Sequence, residues 1–316
     1  MRALVLGCGS IGARHARNLA WLDVELMVSD PAADRARAVA AELGASVVER
    51  NEASADIAIV ATPTMEHAAD LEWCLARGMH TFVEKPLAAT REGLERAVAS
   101  AGASDRVTMV ACNLRFTEGY RSMRSNLARI GRIISIVADF GWYLPAWRPG
   151  DDYRAGYGAT RATGGGIVLD AGIHELDYVL DLAGPVSLVG GLWTASGSLG
   201  IEVDDAAEIQ LRHVNGCISQ IHVDYLRRAY TRTCTLVGAD GTLVWNVADG
   251  TITVTREPGE PPLEVSELDR DRNTMYVEEM QHFLKCVATG HNEVNPVASA
   301  AATTAVALQV LEQGGS

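Results

Sequence analysis

Two residues that can exchange protons, Asp170 and His174, lie four positions apart in the stretch GGGIVLDAGIHELDYVLDLAG, residues 164–184. The apolar spacing of this stretch predicts a helix, and residues four apart on a helix share a face. Imidazole has an ordinary pKa near neutrality, so the pair could be a base and its partner in proton transfer. Two other interpretations remain: half of a metal site, or a solvated polar stripe continuing through Asp177 and Asp181.

The metal interpretation is the weakest of the three. A catalytic zinc needs at least three converging protein ligands, and this pair supplies two. His213, His222 and His282 fall on separate predicted elements, where a structural role is more common. The six cysteines, at 8, 74, 112, 217, 234 and 286, contain no C-x-x-C, and we interpret them as buried thiols. We therefore expect no metal.

A glycine loop predicts a dinucleotide cofactor. The sequence GCGSIG, residues 7–12, follows the apolar strand RALVL and begins a predicted helix. In such a loop Gly7 allows a tight turn, Gly9 lets the pyrophosphate approach the backbone, and Gly12 lets helix and strand pack closely. The helix N-terminus offers unpaired N–H groups to the phosphates. The cofactor-binding residues predicted here are Gly7, Gly9, Ser10, Ile11 and Gly12.

Asp30, at the end of the second predicted strand, indicates which dinucleotide is bound. An acid at this position accepts hydrogen bonds from the adenosine ribose, and its charge repels a 2′-phosphate. NAD is therefore the predicted cofactor. Ser29 and Arg35 could accommodate a phosphate if the loop turned, so NADP remains an alternative.

A nicotinamide cofactor suggests a role for the polar pair. Oxidising an alcohol needs a base for the hydroxyl proton, a group that stabilises the alkoxide, and a hydride acceptor. His174 is the predicted base, or acid in the reverse direction. Lys85 supplies a compact positive donor for the reacting oxygen. Asp170 could orient the imidazole, contact a neighbouring hydroxyl, or form a polar relay with Lys85.

The chain has two patterns of predicted elements. Residues 2–110 alternate continuous apolar strands with helices, which indicates a doubly wound parallel sheet. After Asn113, strands with alternating polar and apolar residues indicate a large, open, mainly antiparallel sheet flanked by helices. We therefore predict an α/β Rossmann domain over 1–115 and an α+β substrate and oligomerisation domain over 116–316. The last helix, about 297–313, is expected to pack on other elements and could pack back on the N-terminal domain.

Composition and charge exclude some classes of binding partner. A formal net charge of -13 without a basic run argues against nucleic acid. No apolar run approaches the ~18 residues that a membrane span needs, and MRALVLGCGS lacks a signal-peptide pattern. We expect a cytoplasmic protein that acts on a small molecule.

Four ordered motifs carry a resemblance to a known family. These are GCGSIG, Glu84-Lys85-Pro86, the stretch with Asp170 and His174, and the tail YVEEMQHFLKCVATG. With them the chain resembles the glucose-fructose oxidoreductase and inositol dehydrogenase family, Gfo/Idh/MocA. The segments ATPTMEH and ACNLRF look similar to the family as well. Further residues assigned to the cofactor site are Thr62, Pro63, His67, Glu84 and Lys85.

The resemblance implies a function as well as a fold. It assigns catalysis to Lys85, Asp170 and His174, with the lysine at the nicotinamide end, and it implies a cis Lys85–Pro86 bond. It also implies a homodimer or homotetramer formed through the open face of the second sheet. The glycines at 164–166 are interpreted as room for the substrate, and Asp181 as ordinary surface.

The segment between the first strand of the second domain and Asp170 is the predicted substrate-recognition loop. It combines aromatic residues, which can stack on sugar rings, with arginines, which can bind phosphates or carboxylates. A loop whose aromatic residues only cover a sheet edge is the alternative. The predicted substrate-binding residues are Lys85, Asn113, Arg115, Tyr143, Trp147, Arg148, Tyr153, Arg154, Asp170 and His174.

These observations favour an NAD(P)-dependent oxidoreductase that interconverts an alcohol and a ketone on a sugar, a sugar derivative or a cyclitol. The W-R-P-x-x-D-Y-R pattern is similar to members acting on nucleotide-linked or amino sugars. Two alternatives are a glycoside-cleaving enzyme that oxidises its substrate transiently with NAD, and a non-catalytic dinucleotide-sensing protein. Joint retention of Lys85, Asp170 and His174 argues against the last.

Overall fold

The computed structural model describes residues 1–267 and 271–314. The chain forms two compact units, one of residues 1–113 and 273–304, the other of residues 114–272 and 305–316. The predicted boundary at 115 differs from this division in one main respect. Residues 273–304, predicted in the second domain, belong to the first unit, because the penultimate helix and the start of the last one pack there.

The first unit contains a six-stranded parallel sheet in the order β3-β2-β1-β4-β5-β6, the predicted doubly wound arrangement. Its strands are β1 (Arg2–Leu6), β2 (Glu25–Ser29), β3 (Ser46–Val47), β4 (Ile57–Val60), β5 (His80–Val83) and β6 (Thr108–Val110). The helices between them are α1 (Ser10–Trp21), α2 (Ala33–Leu43), α3 (Thr64–Ala76) and α4 (Arg91–Gly102). β1 and β4 are buried on both faces because their apolar runs are continuous.

The second unit contains an eight-stranded sheet in the order β14-β13-β12-β11-β7-β10-β9-β8. It begins with α5 (Glu118–Asn126), β7 (Ile133–Gly141) and α6 (Ile173–Ala183). The remaining strands are β8 (Val186–Thr194), β9 (Ala206–His213), β10 (Ile218–Asp224), β11 (Thr231–Gly238), β12 (Thr242–Asn246), β13 (Thr251–Thr255) and β14 (Leu263–Glu267). Neighbours are antiparallel except β7 and β10, which are parallel, so the prediction of a mainly antiparallel sheet is confirmed.

Apolar and polar residues alternate along the strands of this sheet, so its two faces differ. On β9, Ala207, Ile209 and Leu211 are buried, whereas the residues between them are exposed. The buried face packs against α6, which contacts β7 and β10. The opposite face carries polar residues and several exposed apolar side chains.

The two predicted tail helices are present as α7 (Thr274–Thr289) and α8 (Val297–Gln313). The start of α8 belongs to the first unit and its end to the second, where the indole of Trp193 donates to the Leu311 carbonyl at 3.1 Å. Across residues 1–267 and 271–314, no helix is long and apolar enough to span a membrane.

Candidate active site

The glycine loop at the end of β1 has the geometry of a dinucleotide site. Gly7 has a φ of +89°, and a Cβ there would lie 2.5 Å from the Ala61 carbonyl oxygen. A Cβ on Gly12 would lie 1.9 Å from the Gly7 carbonyl oxygen. A Cβ on Gly9 would meet no atom within 4 Å, so open space lies above this glycine where α1 begins. Close packing at two glycines and room at the third fit a pyrophosphate on the helix N-terminus.

Asp30 is anchored beside this loop. One carboxylate oxygen accepts a hydrogen bond from the Cys8 N–H and the other from the Ala32 N–H, both at 2.7 Å. Each oxygen keeps a lone pair for a ribose hydroxyl. Burial, together with the Asp30 charge, raises the pKa of Cys8 to about 11, so the loop cysteine is a neutral thiol near pH 7.

His67 connects the two loops that follow β4 and β5. Its Nδ1 lies 2.7 Å from the Pro86 carbonyl oxygen and its Nε2 lies 2.8 Å from the Thr62 carbonyl oxygen. The ring is 1% exposed, and burial lowers its pKa against the opposing effect of the two carbonyls. We predicted a cofactor contact for His67, but its described contacts are to the protein backbone. Thr62 donates to Asp70 at 2.6 Å, and Pro63 precedes α3 on the surface.

The Glu84-Lys85-Pro86 segment follows β5. Glu84 is buried, with one carboxylate oxygen 2.7 Å from His15 Nε2 and the other accepting the Lys85 N–H at 3.2 Å. Burial raises the pKa of Glu84, but the interactions with His15, Lys85 and His67 outweigh it and hold that pKa below its usual value. Lys85 is partly exposed, and the Lys85–Pro86 bond is cis, as the resemblance implies.

The backbone around Asp170 differs from the predicted α-helix. Residues Val168–Gly172 form a π-helical turn, and α6 begins only at Ile173. A π turn has more residues per turn than an α-helix, so Asp170 and His174 do not have simple α-helical i,i+4 spacing. Such turns are frequent at functional sites. Sequence periodicity could not reveal this turn, because the apolar pattern on either side is that of an ordinary helix.

Asp204 and the glycines at 164–166 hold the start of this turn. Asp204 accepts the Val168 N–H at 2.8 Å. A Cβ on Gly166, which has a φ of +110°, would lie 2.0 Å from Asp204 Oδ1, and one on Gly165 would lie 2.5 Å from the Tyr157 carbonyl oxygen. These two glycines therefore allow close packing of the protein on itself, and our interpretation of them as room for substrate is wrong.

Asp170 has a partner that the sequence did not indicate. The hydroxyl of Tyr225, which follows β10, donates to Asp170 Oδ2 at 2.9 Å. Tyr225 is fully buried, and burial together with the Asp170 charge raises its pKa well above the usual value, so it remains a donor. A Cβ on Gly158 would lie 2.9 Å from both of these oxygens. His174 is partly exposed.

Arg115 and the later acids of this segment form an ion-pair cluster within the second unit. Arg115 binds Asp177 through Nε at 2.7 Å and Asp181 through an NH group at 2.7 Å. Tyr120 and Arg124 also contact Asp181. Burial raises the pKa of Asp177 against the opposing charge of Arg115. The surface interpretation of Asp181 is therefore wrong, and the described contacts of Arg115 are structural. Asn113, in the first unit, is buried and donates to the Met275 sulfur at 3.6 Å.

Tryptophans in the predicted substrate loop pack on neighbouring side chains. Trp142 and Trp147 stack with ring centroids 5.2 Å apart, and the Trp147 indole donates to the Trp142 carbonyl at 3.1 Å. Trp147 also meets Tyr225 edge-on at 5.3 Å. Through Tyr225 the loop is thus connected to Asp170.

Tyrosines of the loop have similar internal partners. The Arg228 guanidinium lies 3.4 Å from the ring centroid of Tyr143, and that of Arg154 lies 4.7 Å from the ring of Tyr153. The Tyr153 hydroxyl donates to the Leu199 carbonyl at 2.9 Å. Arg148 and Arg154 are exposed. The contacts favour the packed-loop alternative for the aromatic residues and leave the two arginines accessible.

The remaining histidines of the second unit have protein partners. His213 is buried between the Gly184 carbonyl and Ser219, at 2.7 and 2.8 Å. His222 lies between Asp224 and Glu208, and the bond to Asp224 in particular raises its pKa to about 9. Within the described ranges 1–267 and 271–314, no group of three His, Cys, Asp or Glu residues could hold a metal ion.

Asp204 should make the stability of the protein depend on pH. Burial raises its pKa from 3.8 to about 6, so the folded state binds the proton more tightly than the unfolded state. The protonated Asp204 side chain therefore contributes to the free energy of unfolding. This contribution is complete below about pH 4 and is lost as the pH rises through about 6. We expect wild type to lose up to ~3 kcal/mol relative to Asp204→Asn over that range. Denaturant unfolding at several pH values measures this; parallel curves would contradict it. Asp34→Asn, at a 96% exposed side chain, is the control.

The comparisons with known proteins agree with this geometry. Residues 1–112 match the model of the GFO_IDH_MocA oxidoreductase family with an NAD-binding Rossmann fold, and residues 120–244 match that of the GFO/IDH/MocA C-terminal domain.

Individual relatives cover most of the chain. The myo-inositol 2-dehydrogenase of Thermotoga maritima is 27% identical over 92% of this chain and 89% of its own length. The dTDP-3,4-didehydro-2,6-dideoxy-alpha-D-glucose 3-reductase of Streptomyces antibioticus is 30% identical over 77% of this chain and 74% of its own. The structure of UDP-N-acetylglucosamine 3-dehydrogenase from Acidithiobacillus ferrooxidans superposes with a TM-score of 0.85 over 99% of this chain and 97% of its own, at 22% identity.

Proposed function

Because the chain belongs to the Gfo/Idh/MocA family of NAD(P)-dependent oxidoreductases, we propose that it interconverts a secondary alcohol and a ketone on a polyhydroxylated small molecule. The observation that carries the proposal is the open space above Gly9 in a loop otherwise closed by backbone contacts. That space fits the cofactor of a hydride-transfer enzyme. The sequence adds Lys85, Asp170 and His174, three groups suited to alcohol chemistry.

We assign the proton transfer to His174. Neutral imidazole accepts the hydroxyl proton during oxidation, and imidazolium returns it during reduction. Asp170 supports this role as a carboxylate fixed by Tyr225, since a fixed charge can orient a hydroxyl or stabilise the imidazolium. Lys85 carries an ammonium that stabilises the developing oxyanion. The bound nicotinamide accepts or supplies the hydride.

The names of the relatives support a proposal for the substrate class. Their names describe a cyclitol dehydrogenase and two nucleotide-sugar oxidoreductases. We propose a sugar, sugar derivative or cyclitol for this chain. Exposed Arg148 and Arg154 support a substrate with a phosphate or nucleotide group, because arginine forks bind phosphate well.

A substrate panel tests this proposal. Reduced nicotinamide fluorescence would be followed with NAD and NADP against cyclitols, free sugars and nucleotide sugars, and with reduced cofactor against the matching ketones. We expect turnover with at least one substrate class. Product release from a glycoside without net NADH change would instead show the transient-oxidation alternative. Tight NAD binding without turnover across the panel would show a dinucleotide-sensing protein.

Asp30 provides a test of cofactor choice. Asp30→Ser removes the charge that repels a 2′-phosphate and the acceptor for the ribose hydroxyls. We expect the ratio of NADP to NAD affinity to rise by about tenfold or more, the loss of a charged hydrogen bond being about 1.5–3 kcal/mol. Titration of both cofactors by fluorescence measures the ratio. An unchanged ratio would show that Asp30 does not contact the ribose.

We also propose that the exposed face of the second sheet binds another copy of the chain, giving a homodimer or homotetramer. Exposed apolar residues support this because an apolar patch on a sheet face favours association. The exposed fractions reach 62% at Leu188, 72% at Leu192 and 52% at Ile218.

A further inference from the structure

His15, on the helix that begins at the glycine loop, has a contact that the proposed mechanism does not use. Its side chain is fully buried, and its Nε2 lies 2.7 Å from a carboxylate oxygen of Glu84. Glu84 directly precedes Lys85, and its second carboxylate oxygen accepts the Lys85 N–H. A continuous set of hydrogen bonds therefore runs from α1 through a buried carboxylate to the backbone of Lys85.

The surroundings of the ring define which nitrogen matters. His15 packs edge-on against Phe82 at 5.2 Å and against Tyr276 at 6.2 Å between ring centroids. Among the described residues, Nδ1 has no hydrogen-bond partner. Since a carboxylate only accepts, Nε2 must carry the proton and donate to Glu84. Within the part of the chain that the structure describes, the hydrogen bond from Nε2 to Glu84 is therefore the only one that the His15 ring makes.

That bond matters because Glu84 is a buried charge. The titratable groups facing it are His15, Lys85 and His67, and burial opposes its ionisation. An unpaired buried carboxylate is costly and takes up a proton or moves instead. Without the His15 donor, Glu84 would lose the hydrogen bond that stabilises its charge. The Glu84 carboxylate would then be free to move or take up a proton directly beside Lys85, whose ammonium must be placed precisely.

We propose that His15 is a positioning residue for Lys85, which it orients by fixing the Glu84 carboxylate. The inference rests on the proposed function, in which Lys85 contacts the reacting oxygen. His15 itself does not need to touch substrate or cofactor for this role. It links the helix of the cofactor loop to the lysine, so the two are aligned by one buried hydrogen bond.

Two substitutions separate this role from simple packing. His15→Leu fills the volume without a donor, whereas the amide of His15→Gln can donate from near the position of Nε2. We expect His15→Leu to lower kcat by about tenfold to a hundredfold, a cost typical of a misplaced catalytic group, with little change in NAD affinity. His15→Gln should recover most of the loss. Both proteins are first checked for wild-type circular dichroism.

The pH profile of kcat is the decisive readout. Without His15, burial is less opposed and the pKa of Glu84 should rise, so His15→Leu should lose activity towards acid pH where wild type and His15→Gln do not. Adding Glu84→Gln to His15→Leu should remove this extra acid dependence. Identical profiles in wild type and His15→Leu, or no rescue by glutamine, would overturn the inference. Lys85→Ala tests the underlying function separately: full turnover in that variant would reject the role of Lys85 whatever the His15 variants show.

Discussion

Alanine at position 174 is expected to lower kcat by about 10²- to 10⁴-fold, the usual contribution of a positioned general acid or base. His174→Ala removes the group that accepts the hydroxyl proton, whereas the NAD loop of the first unit is unchanged. NAD affinity should therefore stay close to that of wild type. Steady-state kinetics on the best substrate of the panel, with a fluorescence titration of NAD, measures both quantities.

The control for this variant is His291→Ala, at a histidine whose side chain is 73% exposed. This variant also replaces a histidine by alanine, but at a residue outside the proposed active site, and it should keep wild-type kcat. If His174→Ala also kept it, His174 would not be the acid or base. A small residual rate in His174→Ala that rises with added imidazole would further support the assignment.

Alanine at Gly9 is expected to weaken NAD binding by about fivefold to a hundredfold while the protein folds normally. Gly9 has a φ of -68°, which alanine adopts without strain, and its Cβ would meet no protein atom within 4 Å. The methyl group would instead occupy the space assigned to the pyrophosphate, and overpacking of this kind costs about 1–3 kcal/mol. A calorimetric or fluorescence titration with NAD measures the loss, and thermal unfolding without cofactor checks the fold.

Two other glycines make this test specific. Gly102→Ala, at the end of α4, is also free of contacts within 4 Å and should leave NAD affinity unchanged without lowering stability, because alanine favours a helix over glycine. Gly12→Ala should instead destabilise the protein itself, because its Cβ would clash with the Gly7 carbonyl oxygen. Wild-type NAD affinity in Gly9→Ala would show that no phosphate lies above this residue.

The sequence predicted much of the fold because its signals are local. Continuous apolar strands, the glycine loop and Asp30 fall within a short span, and one periodicity pattern covers each element. The alternating strands of the second unit were equally clear. The very short β3 and the grouping of α7 with the first unit were not predicted. Both depend on contacts between segments far apart in the sequence.

The site was predicted less completely, for the same reason. His15, Asp204 and Tyr225 act on Glu84, Val168 and Asp170 across long sequence separations, and none lies in a motif. Asp177 and Asp181 looked like a solvated stripe because their partner, Arg115, comes from a distant segment. An ion pair between distant segments leaves no repeating pattern in the sequence from which it could be predicted. The roles of Lys85, Asp170 and His174 remain predictions that the variants above would test.

Transfer of deuterium is the most direct test of hydride chemistry in this protein. The best substrate of the panel would be prepared with deuterium on the carbon that bears the reacting hydroxyl, and NAD would be examined by mass spectrometry after reaction. The proposed function predicts reduced nicotinamide that carries the deuterium, a ketone product in equal amount, and greatly slowed transfer in Lys85→Ala and His174→Ala. Deuterium released to water, or bound NAD that stays oxidised with every substrate class, would contradict it.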